Sequence, residues 1–386
     1  MTDREHYALL VDGIFGIGTA TFNAADTQSN DVIGALGKPG QFVEFNANFE
    51  QRLRRLAASL HADETLRKEI LAAINKIVTS EWDGAYAELC ALDYFLADVS
   101  TGPGNVALDR TVPASQTLAS EMGMQNANHD MSFPRLGVSM DTKLLSDKIG
   151  GILEGIFKDF RNAKNIEKLT ILPSYNGDQD FATYQANRKK LLSELIHGVD
   201  VNLRPSAFVS KVISGLSYKF GWDTGVLTAA SSYSPLEHAK NHHRLLFGHA
   251  KKFSKVEPTV IVFVLFPWTG ERVFHFDDSR KPFFKEFGDR FFSDYLSSSD
   301  SAKNFNSNIK SAILAGDVTR HLSGILFLED DSVLAKTPND LNVKASFLWN
   351  PNALHPLAGS LLEARLLARG AFDLQTVSEA SATSNH

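Results

Sequence analysis

The sequence predicts a mixed α/β protein with a helical N-terminal segment, and three stretches carry that prediction. Leu53, Leu56 and Leu60, then Leu66, Ile70, Ala73, Ile74 and Ile77, recur at three- and four-residue spacing, the period of an amphipathic helix. Two short runs, His129–Phe133 and Gly137–Leu145, flank Pro134-Arg135-Leu136-Gly137, a turn that can close a hairpin. Val260-Ile261-Val262-Phe263-Val264-Leu265-Phe266 is continuously apolar, as a strand buried on both faces must be.

Taken in chain order, residues 1–40 open on an apolar, strand-like stretch punctuated by Gly and Asn/Asp. Gly13, Gly16 and Gly18 include a G-x-G, but no third glycine or strand–turn–helix context follows, so a turn is expected there. The helical pattern runs from Phe45 to about Val99, with Thr79-Ser80 as an N-cap for a helix over about Glu81 to Ala97. A Gly/Pro loop at Ser100–Asn105 precedes a strand at Val106–Pro113, a polar stretch and then the hairpin. Lys148 to Lys255 reads as mainly helical, ending in a helix over Pro235–Phe253 that leads into the apolar strand. Beyond it the pattern gives a Phe-rich helix at Phe283–Leu296, a helix around 302–315, a strand at Gly324–Leu328 and a helix at Pro356–Arg369. The Ser/Ala-rich tail after Thr376 is expected to be disordered.

The 386 residues, 43% hydrophobic and 22% charged, suit two domains or one α/β core with large insertions. The single cysteine, Cys90, cannot form an internal disulfide. No signal-peptide pattern is present, and the longest apolar run, Val260–Trp268, is too short to span a bilayer. A soluble cytoplasmic protein is the expectation. Net charge is −6, but Lys143 to Lys255 carries 17 Lys and Arg against 10 Asp and Glu, a local balance of +7. A basic middle between acidic ends can hold a polyanion or can be a solvated helical face.

The hairpin and the helix before it carry four residues with a shared chemistry. Asp130 and Asp141 sit on its two strands, and their spacing lets both carboxylates point to one face near the open end. Hard oxygen donors of this kind suit Mg²⁺, which takes one or two carboxylates and keeps its other positions for water and phosphate. Lys143, two residues beyond Asp141, falls on the same face, while Val138, Met140, Thr142 and Leu144 fall on the other. Glu88 lies amid Ala85, Ala87, Leu89 and Ala91, where a carboxylate needs a partner. The bland alternative is that Asp141 and Lys143 form a solvated surface pair of little energetic weight.

This set resembles the PD-(D/E)xK phosphodiesterase superfamily, the fold of many restriction endonucleases, through a helix with a Glu, a strand, and a hairpin bearing Asp130 and Asp141-Thr142-Lys143. Where the family often has proline before the first acid, this chain has His129. The resemblance implies a restriction-endonuclease-like αβββαβ core with a mixed central sheet, completed by a helix and the strand Val260–Phe266. The implied boundaries are a helical segment over 1–80, a core over 81–267 with a large helical insertion at about 146–234, an α/β extension over 268–376 and a tail over 377–386. It further implies Mg²⁺-dependent hydrolysis of DNA in restriction or phage defence, Mn²⁺ being able to substitute, by a homodimer if both strands are cut. Asp130, Asp141 and Glu88 would bind the metal, and Lys143 would serve the attacking water. Lys240, His243, Arg244, Lys251 and Lys252, on the helix before the last core strand, become candidates for DNA phosphate contacts.

Two rivals are carried beside it. The same fold can act as an interaction module without hydrolysis. His238 and His242 share the H-x-x-x-H spacing of a helical zinc site, but the helper Glu of H-E-x-x-H is absent. No G-x-S-x-G motif anchors Ser-His-Asp catalysis.

Overall fold

A computed structural model describes residues 3–21, 45–59, 64–77, 82–97, 106–145, 148–174, 181–223, 235–266, 277–332 and 341–376. The helices are α1 (Asp3–Phe15), α2 (Phe45–Ser59), α3 (Glu64–Lys76), α4 (Trp82–Leu96), α5 (Lys148–Lys164), α6 (Phe181–Gly198), α7 (Pro235–His242), α8 (Asp277–Ser293), α9 (Ala315–Arg320) and α10 (Leu361–Ala368). The strands are β1 (Ala107–Pro113), β2 (Asn126–Phe133), β3 (Val138–Leu144), β4 (Thr170–Ser174), β5 (Ala207–Val209), β6 (Ser217–Gly221), β7 (Thr259–Leu265), β8 (Gly324–Asp330), β9 (Val343–Trp349) and β10 (Phe372–Asp373).

The protein is mixed α/β, built on a seven-stranded mixed sheet of order β1-β2-β3-β7-β8-β9-β10. β1, β2 and β3 form an antiparallel meander, β3 runs parallel to β7 and β7 to β8, and β9 returns antiparallel to β8. The order follows from the residues. β7 (TVIVFVL) and β8 (GILFLED) are buried along their whole length and take central positions. A parallel β3–β7 pair cannot be closed by a tight turn, and residues 145–258 supply the long crossover.

Two compact units divide the chain: residues 1–145, 244–269 and 288–386 form the first, and 146–243 with 270–287 the second. In the first, Val138, Met140, Val260, Val262, Leu326 and Phe347 share one core with apolar residues of α1 to α4. Arg52 on α2 is fully buried in this unit. Its guanidinium donates to Asp93 of α4 at 3.0 Å, to Asp330 of β8 at 2.7 Å and to the Tyr86 hydroxyl at 2.9 Å. Arg55 adds two further bonds to Asp93, at 3.0 and 2.7 Å. Buried Asp330 is held below the usual carboxylate range, because Arg52 outweighs the opposing effect of burial.

The second unit corrects the expectation of a helical insertion. β4, β6 and β5 form a three-stranded antiparallel sheet, and α5 and α6 share an apolar core with it through Phe157, Leu191 and Tyr218. Four further expectations change. The N-terminal apolar stretch is helix α1, whose Tyr7, Val11 and Phe15 are buried at four-residue spacing. The helix read over Pro235–Phe253 is α7 to His242 and then a 3-10 segment, His243–Lys252. Around 302–315 a single 3-10 turn, Ala302–Asn304, replaces the expected helix, and α9 begins only at Ala315. The C-terminal region does not stand apart from the core, since β8, β9 and β10 continue the central sheet. The Thr79-Ser80 cap and the tail 377–386 lie outside the described residues. Among the described residues no helix is long and apolar enough to cross a membrane.

Candidate active site

The hairpin turn sets the site's geometry. Leu136 and Gly137 donate to the carbonyls of Phe133 (3.0 Å) and Pro134 (3.2 Å), and Gly137 takes φ 59°, a left-handed conformation that glycine adopts without penalty. From there Phe133 pairs with Val138, Ser132 with Ser139 and Met131 with Met140. The next step places Asp130 opposite Asp141, where like charges would repel. The ladder ends there, and the Thr142 amide donates instead to Asp130 Oδ2 at 2.8 Å. On the other side of β2, Leu108 pairs with Met131 and Arg110 with His129, so Asp109 stands opposite Asp130. Asp109 has φ 45°, an irregularity placed where three aspartates would otherwise line up across the sheet.

Two ammonium groups neutralise the pair. Lys143 Nζ lies 3.0 Å from Asp141 Oδ2 and 3.4 Å from Asp130 Oδ2, and donates to the Thr142 carbonyl at 2.8 Å. Lys252 Nζ bridges the other oxygens, donating to Asp130 Oδ1 at 2.7 Å and to Asp141 Oδ1. Asp141 is fully buried, and its Oδ2, although ion-paired with Lys143, accepts no hydrogen bond of good geometry. Burial opposes ionisation of both acids. Lys143 and Lys252 outweigh it at Asp130 and hold that carboxyl low, whereas at Asp141 burial and the ionised Asp130 keep it above the usual range.

The surrounding residues fix Lys252. The imidazole of His129, fully buried, donates from Nε2 to the Lys252 carbonyl at 2.7 Å. Burial lowers its pKa and keeps it neutral. His129 ties β2 to the 3-10 segment. His249 Nδ1 lies 3.9 Å from Asp141 Oδ2, and burial together with Lys143 and Lys252 pushes its pKa down to about 3, so it too is neutral.

Glu88 reaches the site from α4, on a cleft it shares with Lys76, Leu92, Asp109 and Asp130. The small Ala85, Ala87 and Ala91 of α4 are buried in the core beside Val138 and Met140 of β3. Burial, then Asp130, push the Glu88 carboxyl up to about 7, against the pull of Lys76 and Lys143.

The structure therefore brings Asp130, Asp141 and Lys143 into contact and sets Glu88 within electrostatic reach. It does not gather the expected metal triad. Among the described residues no three His, Cys, Asp or Glu side chains converge to ligate one ion. The donors nonetheless fit Mg²⁺ on two counts. Two hard carboxylates face one gap already filled by a cationic ammonium, and a buried Asp141 oxygen has no hydrogen bond.

Of the proposed phosphate contacts, Lys240 on α7 is exposed and Lys251 half-buried. His243 is buried, with 3% of its surface exposed, which removes it as a phosphate contact. Arg244 is exposed, with its guanidinium over the Phe305 ring at 5.6 Å and hydrogen-bonded to Tyr295. Lys252, grouped with them from sequence, belongs at the aspartates. Asp109 went unnoticed, since an aspartate in a short strand carries no signal until its partners are known. The side chain of His238 lies outside the described residues. Comparison with protein families, curated proteins and solved structures gave no match.

Proposed function

We propose that this protein is a Mg²⁺-dependent phosphodiesterase acting on DNA, built on a restriction-endonuclease-like αβββαβ core formed by α4, β1 to β3, the α7–3-10 segment and β7. One observation carries the reading: Asp130 and Asp141 stand opposite each other at the open end of a hairpin, with Lys143 ion-paired to both. Asp130 and Asp141 would hold the ion, and Glu88 would complete its shell through water. Bound metal would acidify a water and stabilise charge on the phosphate. Lys143 would orient that water and offset negative charge at the scissile group. The basic stretch Lys143–Lys255 supports a polyanionic substrate, and a homodimer suits cleavage of both strands.

The test is cleavage of supercoiled plasmid in Mg²⁺ against EDTA. We expect nicking or linearisation in Mg²⁺ alone, and a loss of roughly 100-fold or more in Asp141→Asn and Lys143→Ala proteins. Metal-dependent cutting that survives in either variant overturns the mechanism. The second reading, a non-hydrolytic interaction module, is favoured by Lys252, which neutralises the carboxylates as a permanent ion pair would. DNA binding with no cleavage in Mg²⁺ or Mn²⁺ would select it.

A further inference from the structure

We infer that Lys252 is an internal counter-ion for the two-aspartate seat and leaves it when a divalent cation binds, making its ammonium available to the substrate's phosphate. This rests on the metal-dependent reading above. Two carboxylates and two ammonium groups make a neutral cluster with Asp141 fully buried. A divalent cation added with both lysines in place would leave an uncompensated double positive charge there, which the departure of one lysine halves.

The contacts say which. Lys143 is held by the Thr142 carbonyl at 2.8 Å as well as by the acids, and it lies on their side facing Oδ2. Lys252 Nζ has the two carboxylates, which would hold the cation, as its partners and fills the gap between their Oδ1 atoms. Its backbone, by contrast, is clamped. His129 holds the Lys252 carbonyl at 2.7 Å, the Phe253 carbonyl accepts from Leu118 at 2.9 Å, and Lys255 donates to the Gln116 carbonyl at 2.7 Å. Departure therefore requires rotation of a flexible four-carbon side chain and no movement of the segment. The positive charge is exchanged at the seat, and the released ammonium stays tethered beside it.

Two measurements on the full chain test this. Calorimetric titration with Mg²⁺ should give binding about tenfold tighter in Lys252→Met than in the wild type, because the competing occupant is gone. In the wild type, brief acylation with acetic anhydride, read by mass spectrometry, should modify Lys252 about tenfold faster in saturating Mg²⁺ than in EDTA, since the seated ammonium is shielded. Acylation of Lys252 that is unchanged or slower in saturating Mg²⁺ overturns the inference, even where Lys252→Met fails to fold. Equal or weaker Mg²⁺ binding in a folded Lys252→Met protein also overturns it, while leaving the metal-dependent reading intact. Absence of Mg²⁺ binding in both proteins overturns both.

Discussion

Glu88, half-buried on α4, has its carboxyl raised to about 7 by burial and by Asp130. The folded protein therefore binds a proton that the unfolded chain, with a carboxyl near 4.3, has already released. The Glu88 contribution to stability is fully present below about pH 4.3 and is lost as the pH rises through about 7. Urea unfolding of metal-free wild type and Glu88→Gln should diverge across this window, the wild type losing roughly 1–3 kcal/mol relative to the variant. Parallel pH profiles would show that Glu88 is solvated and uncoupled from Asp130. The same residue-scale logic explains Asp130 and Asp141, chemically identical and adjacent, yet driven apart because one receives three donors and the other is buried with an unbonded oxygen.

Between elements, the buried Arg52 is the joint that ties α2 and α4 to the end of β8. Its partners Asp93 and Asp330 are themselves buried, so truncating the arginine takes from Asp330 its ion pair in a low-dielectric core and leaves Asp93 to Arg55. Arg52→Ala should cost about 3–5 kcal/mol in chemical denaturation, and a loss below about 1 kcal/mol would mean that water reaches the cluster. Because α4 carries both Asp93 and Glu88, the joint also sets the position from which Glu88 approaches the hairpin. Elements with strong local patterns were legible: the hairpin, the apolar β7 and helices α2 to α4 follow from side-chain period alone. The strands β4, β5 and β6 were not, because their alternation is short and lies in a stretch dominated by helical spacing. β9 was not read from the sequence, although Val343, Ala345 and Phe347 alternate there with Lys344 and Ser346 over only five residues.

At the scale of the whole molecule, stability is concentrated where parallel strands are sheathed on both sides. β7 and β8 are buried at every position and hydrogen-bonded to strands on both edges. Their amides should exchange slowest by hydrogen–deuterium exchange, with those of β5 in the small sheet, whose Ala207 and Val209 are exposed, exchanging much faster. Slow exchange in β5 matching that of β7 would mean that the two units unfold as one.

For this protein the sequence by itself determined the mixed α/β class, the hairpin, and the alternation that puts Asp141 and Lys143 on one face with Asp130 across from them. Each of these is a property of residues within about a dozen positions, where backbone geometry fixes side-chain direction. Only the tertiary structure decided what sits between the aspartates. Lys252 lies 111 residues from Asp141 in the chain, and His129 selects its backbone position from 123 residues away. Contacts of that span depend on how the crossover closes and on which strand pairs with which, neither of which a local pattern encodes.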